Sequence, residues 1–287
     1  LRGARFNSSG ERVVTTDESG QILVWRVRDA AVLASYASDP GAAPCAEFSS
    51  DGKRLAFVAP KGWFVVVETD TGRSSRFHAH DGVVTSLRFT PDGRGLLSGG
   101  TDRRVCLWDA AGASPATDDR VLDTPIWRSN PFETRYLRLN SVFDARLSPN
   151  GRWVVSACED VTIQIHDAKD GRTLDAVHAA TPGGLAFDFE GTSFMVSSKY
   201  ASAATWWRIL DGPEGARLRV SPQQDVAGVD HQNSLTSLTS ARHAHVALTT
   251  SLDRTARLWN LAGYGCLAEY VGHLDAVLDG DVDPEGR

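Results

Sequence analysis

Across 287 residues there is no run of eighteen apolar side chains, so no segment reads as a membrane span. Lysine is scarce, with four against twenty-six arginines, a bias of the kind a GC-rich bacterial genome produces. Thirty basic side chains meet thirty-six acidic ones for a net charge of -6, and no basic stripe could neutralise a row of phosphates, which argues against a nucleic-acid partner. The four cysteines, Cys45, Cys106, Cys158 and Cys266, lie far apart and suggest no disulfide framework. Cys106 and Cys158 fall in or beside apolar stretches, where a thiol acts as a small buried group; this is the pattern of reduced thiols in a cytoplasmic protein. No glycine-rich phosphate loop opens a helix, and no basic helix appears. The first residues, Leu1-Arg2-Gly3-Ala4-Arg5, have neither a starting methionine nor an apolar leader core, and suggest a piece of a longer protein with further domains attached.

What is present is a repeated unit. Between His80 and Asp109, period-2 apolar alternation marks three short strands around Val83 to Phe89, Leu96 to Ser98 and Val105 to Trp108. Pro91-Asp92-Gly93 is a tight turn between the first two, because proline presets φ and glycine accepts a positive φ. The unit is an antiparallel meander with a fourth strand expected after Gly112, and such a sheet needs neighbours of its own kind to bury its faces.

Three positions of this template recur with fixed internal spacing: a strand-ending residue, a turn glycine four later and an aromatic nineteen later. The copies are Phe6, Gly10, Trp25; Phe48, Gly52, Val67; Phe89, Gly93, Trp108; Leu147, Gly151, His166; Phe187, Gly191, Trp206; and the looser Ser240, Ala244, Trp259. Val282 with Asp283-Pro284-Glu285-Gly286 opens a seventh. The starts at 6, 48, 89, 147, 187, 240 and 282 lie 42, 41, 58, 40, 53 and 42 residues apart, and a period near forty with four strands per unit means propeller blades. The expected fold is all-β, a single propeller domain over 1–287, with blades at about 1–38, 39–79, 80–137, 138–177, 178–230 and 231–272 and the first strand of a seventh in 273–287.

With His80 in the loop before the blade, Ser98 on its second strand, Asp102 in the next turn and Trp108-Asp109 ending the third, the stretch resembles a WD40 repeat. The resemblance implies seven four-stranded blades and a non-catalytic platform for a protein or peptide partner on the top face, within a larger cytosolic signalling or regulatory protein. It further implies that the loop histidine bonds the strand serine and the turn aspartate while the serine reaches the tryptophan indole. His80, Ser98, Asp102 and Trp108 make one such structural tetrad, and His231, Thr249, Asp253 and Trp259 a second; both sets span 28 residues from histidine to tryptophan. Partial sets are Thr15 and Ser19 with Trp25; Ser156, Asp160 and His166; and His178 with Trp206. The second blade has Phe57, Lys61 and Val67 at these places and must hold by packing alone.

Serine, histidine and aspartate together also raise a hydrolase triad, but a nucleophile needs an exposed hydroxyl beside an oxyanion hole, whereas this serine sits mid-strand in a constellation that occurs twice. No catalytic residue, cofactor or metal is expected. The pairs His78 with His80 and His243 with His245 have strand-type spacing but no third ligand nearby.

The extra residues after the third blade include Trp127, Arg128, Phe132, Arg135, Tyr136 and Arg138, aromatics and arginines of the kind enriched at interface anchors; they either meet a partner or fold back on the rim. The resemblance also points to the residue before each turn aspartate as a contact position: Glu18, Pro60, Thr101, Glu159, Lys199 and Leu252. These six share neither charge nor shape. An enzyme or small-molecule binder using the central channel is the alternative function, and it requires carboxylates or histidines converging at one channel mouth.

Overall fold

The computed structural model describes residues 3–38, 45–110, 120–122, 127–128, 141–179, 182–198, 202–212, 215–220, 231–241, 244–263, 265–282 and 286. These residues form strands and turns and no helix, and the chain divides into two compact units, 1–145 and 146–287. The fold is all-β, of the β-propeller class, with six blade sheets.

In the first unit, β1 (Gly3–Phe6), β2 (Arg12–Thr16), β3 (Gln21–Arg26) and β4 (Ala31–Ala37) form the first meander. The second is β5 (Ala46–Phe48), β6 (Arg54–Ala59), β7 (Trp63–Glu68) and β8 (Ser74–His78); the third begins with β9 (Val84–Phe89), β10 (Gly95–Gly100) and β11 (Val105–Asp109). Val14, Ile22 and Val24 of the first sheet pack on Ala46, Phe48, Leu55 and Phe57 of the second. The other face of the second sheet, with Val58, Phe64, Val66 and Phe77, packs on Val84, Leu87, Leu96, Cys106 and Trp108 of the third. Phe64 and Phe77 stack with centroids 4.5 Å apart, and both meet the Trp108 ring edge-on. A second strand covered on both faces reads as a continuous apolar run, and every residue of β10 is buried. The outermost β4 keeps only the alternation of a half-wet strand.

The stretch after Gly112 departs from the expected fourth strand. Its first strand, β12 (Arg120–Leu122), runs parallel to β8 and makes the second sheet five-stranded; β13 (Trp127–Arg128) then pairs antiparallel with β11 at Cys106↔Arg128 and Leu107↔Trp127, and closes the third sheet. The described residues of the insertion are therefore two short strands. A simple hairpin after β11 would place the next strand on β11 directly, and the sequence contains no signal for the detour.

In the second unit, β14 (Val142–Leu147, beginning in the first unit), β15 (Trp153–Cys158), β16 (Thr162–Asp167) and β17 (Thr173–His178) form the fourth sheet. The fifth is β18 (Pro182–Phe187), β19 (Ser193–Ser198), β20 (Ala204–Gly212) and β21 (Gly215–Val220), and the sixth is β22 (Leu235–Ser240), β23 (Val246–Ser251), β24 (Ala256–Asn260) and β25 (Gly265–Tyr270). The β20–β21 hairpin pairs out to Gly212↔Gly215, which lengthens these two strands. Trp207 packs with Trp153, Ile163 and Phe194, while Trp206 packs with Met195, Leu238 and Trp259; neighbours in sequence bury on opposite faces because strand side chains alternate.

The seventh blade's expected first strand is a correction: residues 271–282 form no strand. The segment nevertheless lies where such a strand would begin. Thr85 Oγ of the third sheet donates to the Val142 carbonyl, five residues before Leu147; Thr236 Oγ of the sixth donates to the Val277 carbonyl, five residues before Val282. The Val277 N–H also donates to Ser251, at 3.0 Å. Position is set by docking on the preceding sheet, whereas strand geometry needs a ladder with a second strand.

Candidate functional site

The two polar sets are built by the strand order. In the third sheet, β10 carries Ser98, its turn into β11 carries Asp102, β11 ends on Trp108, and the connection from β8 to β9 brings in His80. His80 Nδ1 lies 2.8 Å from Asp102 Oδ1 and its Nε2 lies 2.9 Å from Ser98 Oγ, while Trp108 Nε1 donates to Ser98 Oγ at 2.9 Å. Indole can only donate and carboxylate only accept, so the protons run one way: indole to serine, serine to imidazole, imidazole to aspartate. Backbone N–H groups of Asp81 and Arg104 also point at Asp102. Burial pushes the Asp102 carboxyl up, but the hydrogen bond and charge of His80 and those N–H donors outweigh it and hold it below the usual carboxylate value.

Room for the ring comes from Gly100, where a Cβ would lie 2.5 Å from the His80 imidazole. That requirement is visible in the sequence only as an unremarked glycine pair.

The same geometry recurs 151 residues later. His231 Nδ1 stands 2.9 Å from Asp253, its Nε2 2.8 Å from Thr249 Oγ1, and Trp259 Nε1 donates to Thr249 at 2.7 Å. Thr255, which sequence reasoning did not single out, bonds both His231 Nδ1 at 3.0 Å and Asp253 at 2.7 Å. Burial lowers the His231 pKa, and the bond to Asp253 opposes that only in part; Asp253 itself is held far below the usual carboxylate range by its donors despite its burial.

Serine–histidine–aspartate connectivity matches a hydrolase triad, yet Ser98 and Thr249 have no exposed surface and their oxygens already accept an indole N–H. No reagent reaches either hydroxyl without dismantling a blade. The arrangement ties a loop to its own sheet and satisfies buried polar groups.

The partial sets vary. Trp25 donates to Thr15 at 2.8 Å, but the turn acceptor is Asp17, two residues before the expected Ser19: Asp17 Oδ1 takes the N–H of Ser19 and of Gln21. In the fourth sheet His166 stands where tryptophan does elsewhere, 3.0 Å from Ser156 by Nε2 and 3.2 Å from Thr173 by Nδ1, and burial lowers its pKa to about 4. Asp160 caps its own turn through the N–H of Thr162. His178 is exposed at the end of β17, opposite Thr162, and stands outside any tetrad.

Of the contact candidates, Thr101 and Leu252 are exposed in their turns, Glu18 is exposed, and Pro60 and Glu159 are half-buried. Thr101 holds its loop through Val83, whose N–H donates to Thr101 Oγ at 2.9 Å. Trp127 and Arg128 are backbone-paired in β13; Phe132, Arg135, Tyr136, Arg138, Lys199 and His243 lie outside the described residues. His78 lies beside the Trp63 ring, at 5.0 Å between centroids, while His80 is taken up by its tetrad. Cys45, Cys106 and Cys158 are buried and Cys266 is half-buried, all four as thiols outside any disulfide, and burial pushes the Cys158 thiol up to about 12.

One cluster was missed altogether. On adjacent first strands of the first unit, Arg88 lies 4.0 Å from Glu47 and 3.8 Å from Asp144, and Ser86 donates to Asp144 at 2.9 Å. These residues fall one to three places before the strand-ending position of their repeats, and that shared offset is the signal that would have found them.

The family description "WD domain, G-beta repeat" matches residues 72–109, 136–167 and 226–260, which include both tetrad tryptophans. These three stretches are similar to WD40 repeats. Among curated proteins, 161 residues are 26% identical to a WD repeat-containing protein 3 homolog of Dictyostelium discoideum, covering 55% of this chain and 16% of that protein. A stretch of 88 residues is 34% identical to the COMPASS component SWD1 of Saccharomyces cerevisiae, covering 29% of this chain and 21% of that protein. Angio-associated migratory cell protein of Homo sapiens is 23% identical over 93% of this chain and 69% of its own length. The chain thus spans about a fifth or less of the length of these first two relatives.

Proposed function

We propose that this WD40-repeat chain is a non-catalytic platform that binds a protein or peptide through the exposed turn at the top of its blades. The observation that carries this reading is the closure of both Ser/Thr–His–Asp sets: the groups with catalytic potential are spent holding loops, and the turns they hold present exposed side chains such as Thr101 and Leu252. A rigid loop bearing an exposed residue loses little entropy on binding. The name of one relative, a COMPASS component, places it in an assembly, and supports a role in complexes. Within this proposal residues 1–287 act as one propeller domain of a larger cytoplasmic signalling or regulatory protein. The arginine bias supports a bacterial source, although the curated relatives named above are eukaryotic.

The test is capture of partners from native extract by the full-length protein and by three variants: Thr101→Arg, Leu252→Arg, and alanine at Phe132, Arg135, Tyr136 and Arg138 together. Residues 127 and 128 are left alone because their backbone closes a sheet. A defined protein captured by the parent and lost by one or more correctly folded variants supports the platform. Equal capture by all of them refutes the turns and the insertion as its site.

A further inference from the structure

The outermost strand of a blade ordinarily ends its sheet, as β4, β17, β21 and β25 do. In the second sheet β8 is covered by β12, which pairs at Arg120↔Ser75, Val121↔Arg76 and Leu122↔Phe77. Three features set this strand apart. It belongs by sequence to the connection between β11 and β13 of the third sheet; it is parallel where the other pairings of its sheet are antiparallel; and it is three residues long. A parallel pair of that length makes only a few slanted bonds, and leaving it opens a row of N–H and C=O groups on β8 that is a template for another strand.

We infer that the outer edge of β8 is a strand-addition site for an extended peptide segment, and that residues 120–122 are its occupant in cis. The partner is a β-strand bearing consecutive branched apolar residues, as Val121-Leu122 does, and running parallel to β8. Main-chain bonds supply its affinity, and the chain itself shows that the edge accepts this orientation and register. Neighbouring side chains leave the edge firm: Phe77 is buried against Phe64 and Trp108, and the Arg76 guanidinium lies over the Trp63 ring at 5.4 Å. Displacing β12 therefore costs the sheet its fifth strand and leaves the four-stranded meander common to the other blades.

This site lies on the side of a blade and does not depend on the turn surface proposed above. The experiment uses the full chain and Val121→Pro, which removes the N–H of the central β12 residue and bars it from the ladder. A fluorescent peptide copying residues 117–124 is titrated into each, and amide exchange of residues 74–78 is followed by mass spectrometry. The expected result is faster exchange at 74–78 in the variant, restoration of slow exchange by the peptide, and binding at least roughly tenfold tighter than to the parent, whose edge is filled. Equal exchange in the two proteins, or binding no better than that of a scrambled peptide, overturns the proposal. If Val121→Pro fails to fold, replacing residues 117–124 by a Gly-Ser linker of equal length is the second variant, and failure of both to fold shows that β12 is an integral strand and also overturns it.

Discussion

The second and third sheets sit side by side in one unit, share a strand plan and solve the same loop problem with opposite chemistry. In the third, Ser98, His80, Asp102 and Trp108 form a polar chain. In the second, the matching strand position is Phe57, which is buried and packs on Tyr36 with centroids 5.0 Å apart, and the tryptophan position is buried Val67. The turn aspartate's place falls to Lys61, whose φ of 58° is followed by Gly62 at 82°. The difference teaches that a blade needs its interior filled and its buried polar atoms paired, and that either an apolar set or a closed polar set meets the demand. A buried hydroxyl stripped of its partners meets neither.

That contrast breaks most sharply when one solution is moved into the other. Phe57→Ser installs in the second sheet the residue that suits the third, but leaves a cavity and a hydroxyl with no histidine or indole, so unfolding free energy should fall by about 4 kcal/mol in a denaturant titration. A loss under about 1 kcal/mol would mean the two sheets tolerate the same residue and the contrast is false.

A second test uses the fourth sheet, where histidine replaces the tryptophan. The buried His166 has its pKa lowered from 6.5 to about 4, so the unfolded chain binds the extra proton between those values. Stability contributed by the neutral ring is complete above pH 6.5 and is lost as pH falls toward 4, by about 3 kcal/mol, with no further change from this group below that. His166→Gln should flatten this part of the stability profile. An unchanged slope would assign the acid sensitivity to other groups.

Asp102→Ala should cost about 2–3 kcal/mol at pH 7, by stranding the His80 N–H. Because the Asp102 pKa is depressed, the carboxylate's contribution is present above the ordinary carboxylate value and disappears as pH falls through the folded value, so parent and variant should converge in strong acid. A constant gap across that range would deny the charge a role. The smallest effect is a gain. Val161, in the turn after Asp160, is β-branched yet has φ 59°, and Val161→Gly should raise stability by about 0.5–1 kcal/mol, read as a higher Tm; a lower Tm would mean that its side chain contributes more than its backbone strain costs.

Much of this architecture was legible in the sequence because it follows from local pattern. The forty-residue period, the alternating strands, the turn glycines such as Gly93 at φ 69° and the 28-residue span from loop histidine to indole each depend on residues close along the chain. What stayed hidden depends on residues that meet only after folding. Asp17 replaces Ser19 as the turn acceptor because a carboxylate two places earlier reaches the N–H groups of Ser19 and Gln21. Arg88 finds Glu47 and Asp144 because residues far apart in the chain come together in the first unit.

Repetition and spacing by themselves determined that this chain makes propeller blades, since steric preference and strand alternation act within a few residues, while the two loop-locking tetrads were implied by the resemblance to WD40 repeats. Tertiary structure alone decided where unrepeated segments go. Residues 120–122 join β8 rather than extend the third sheet, and residues 273–282 dock without becoming a strand. An edge offers the same N–H and C=O groups to any extended segment that reaches it, and which segment arrives is settled by the packed shape around it.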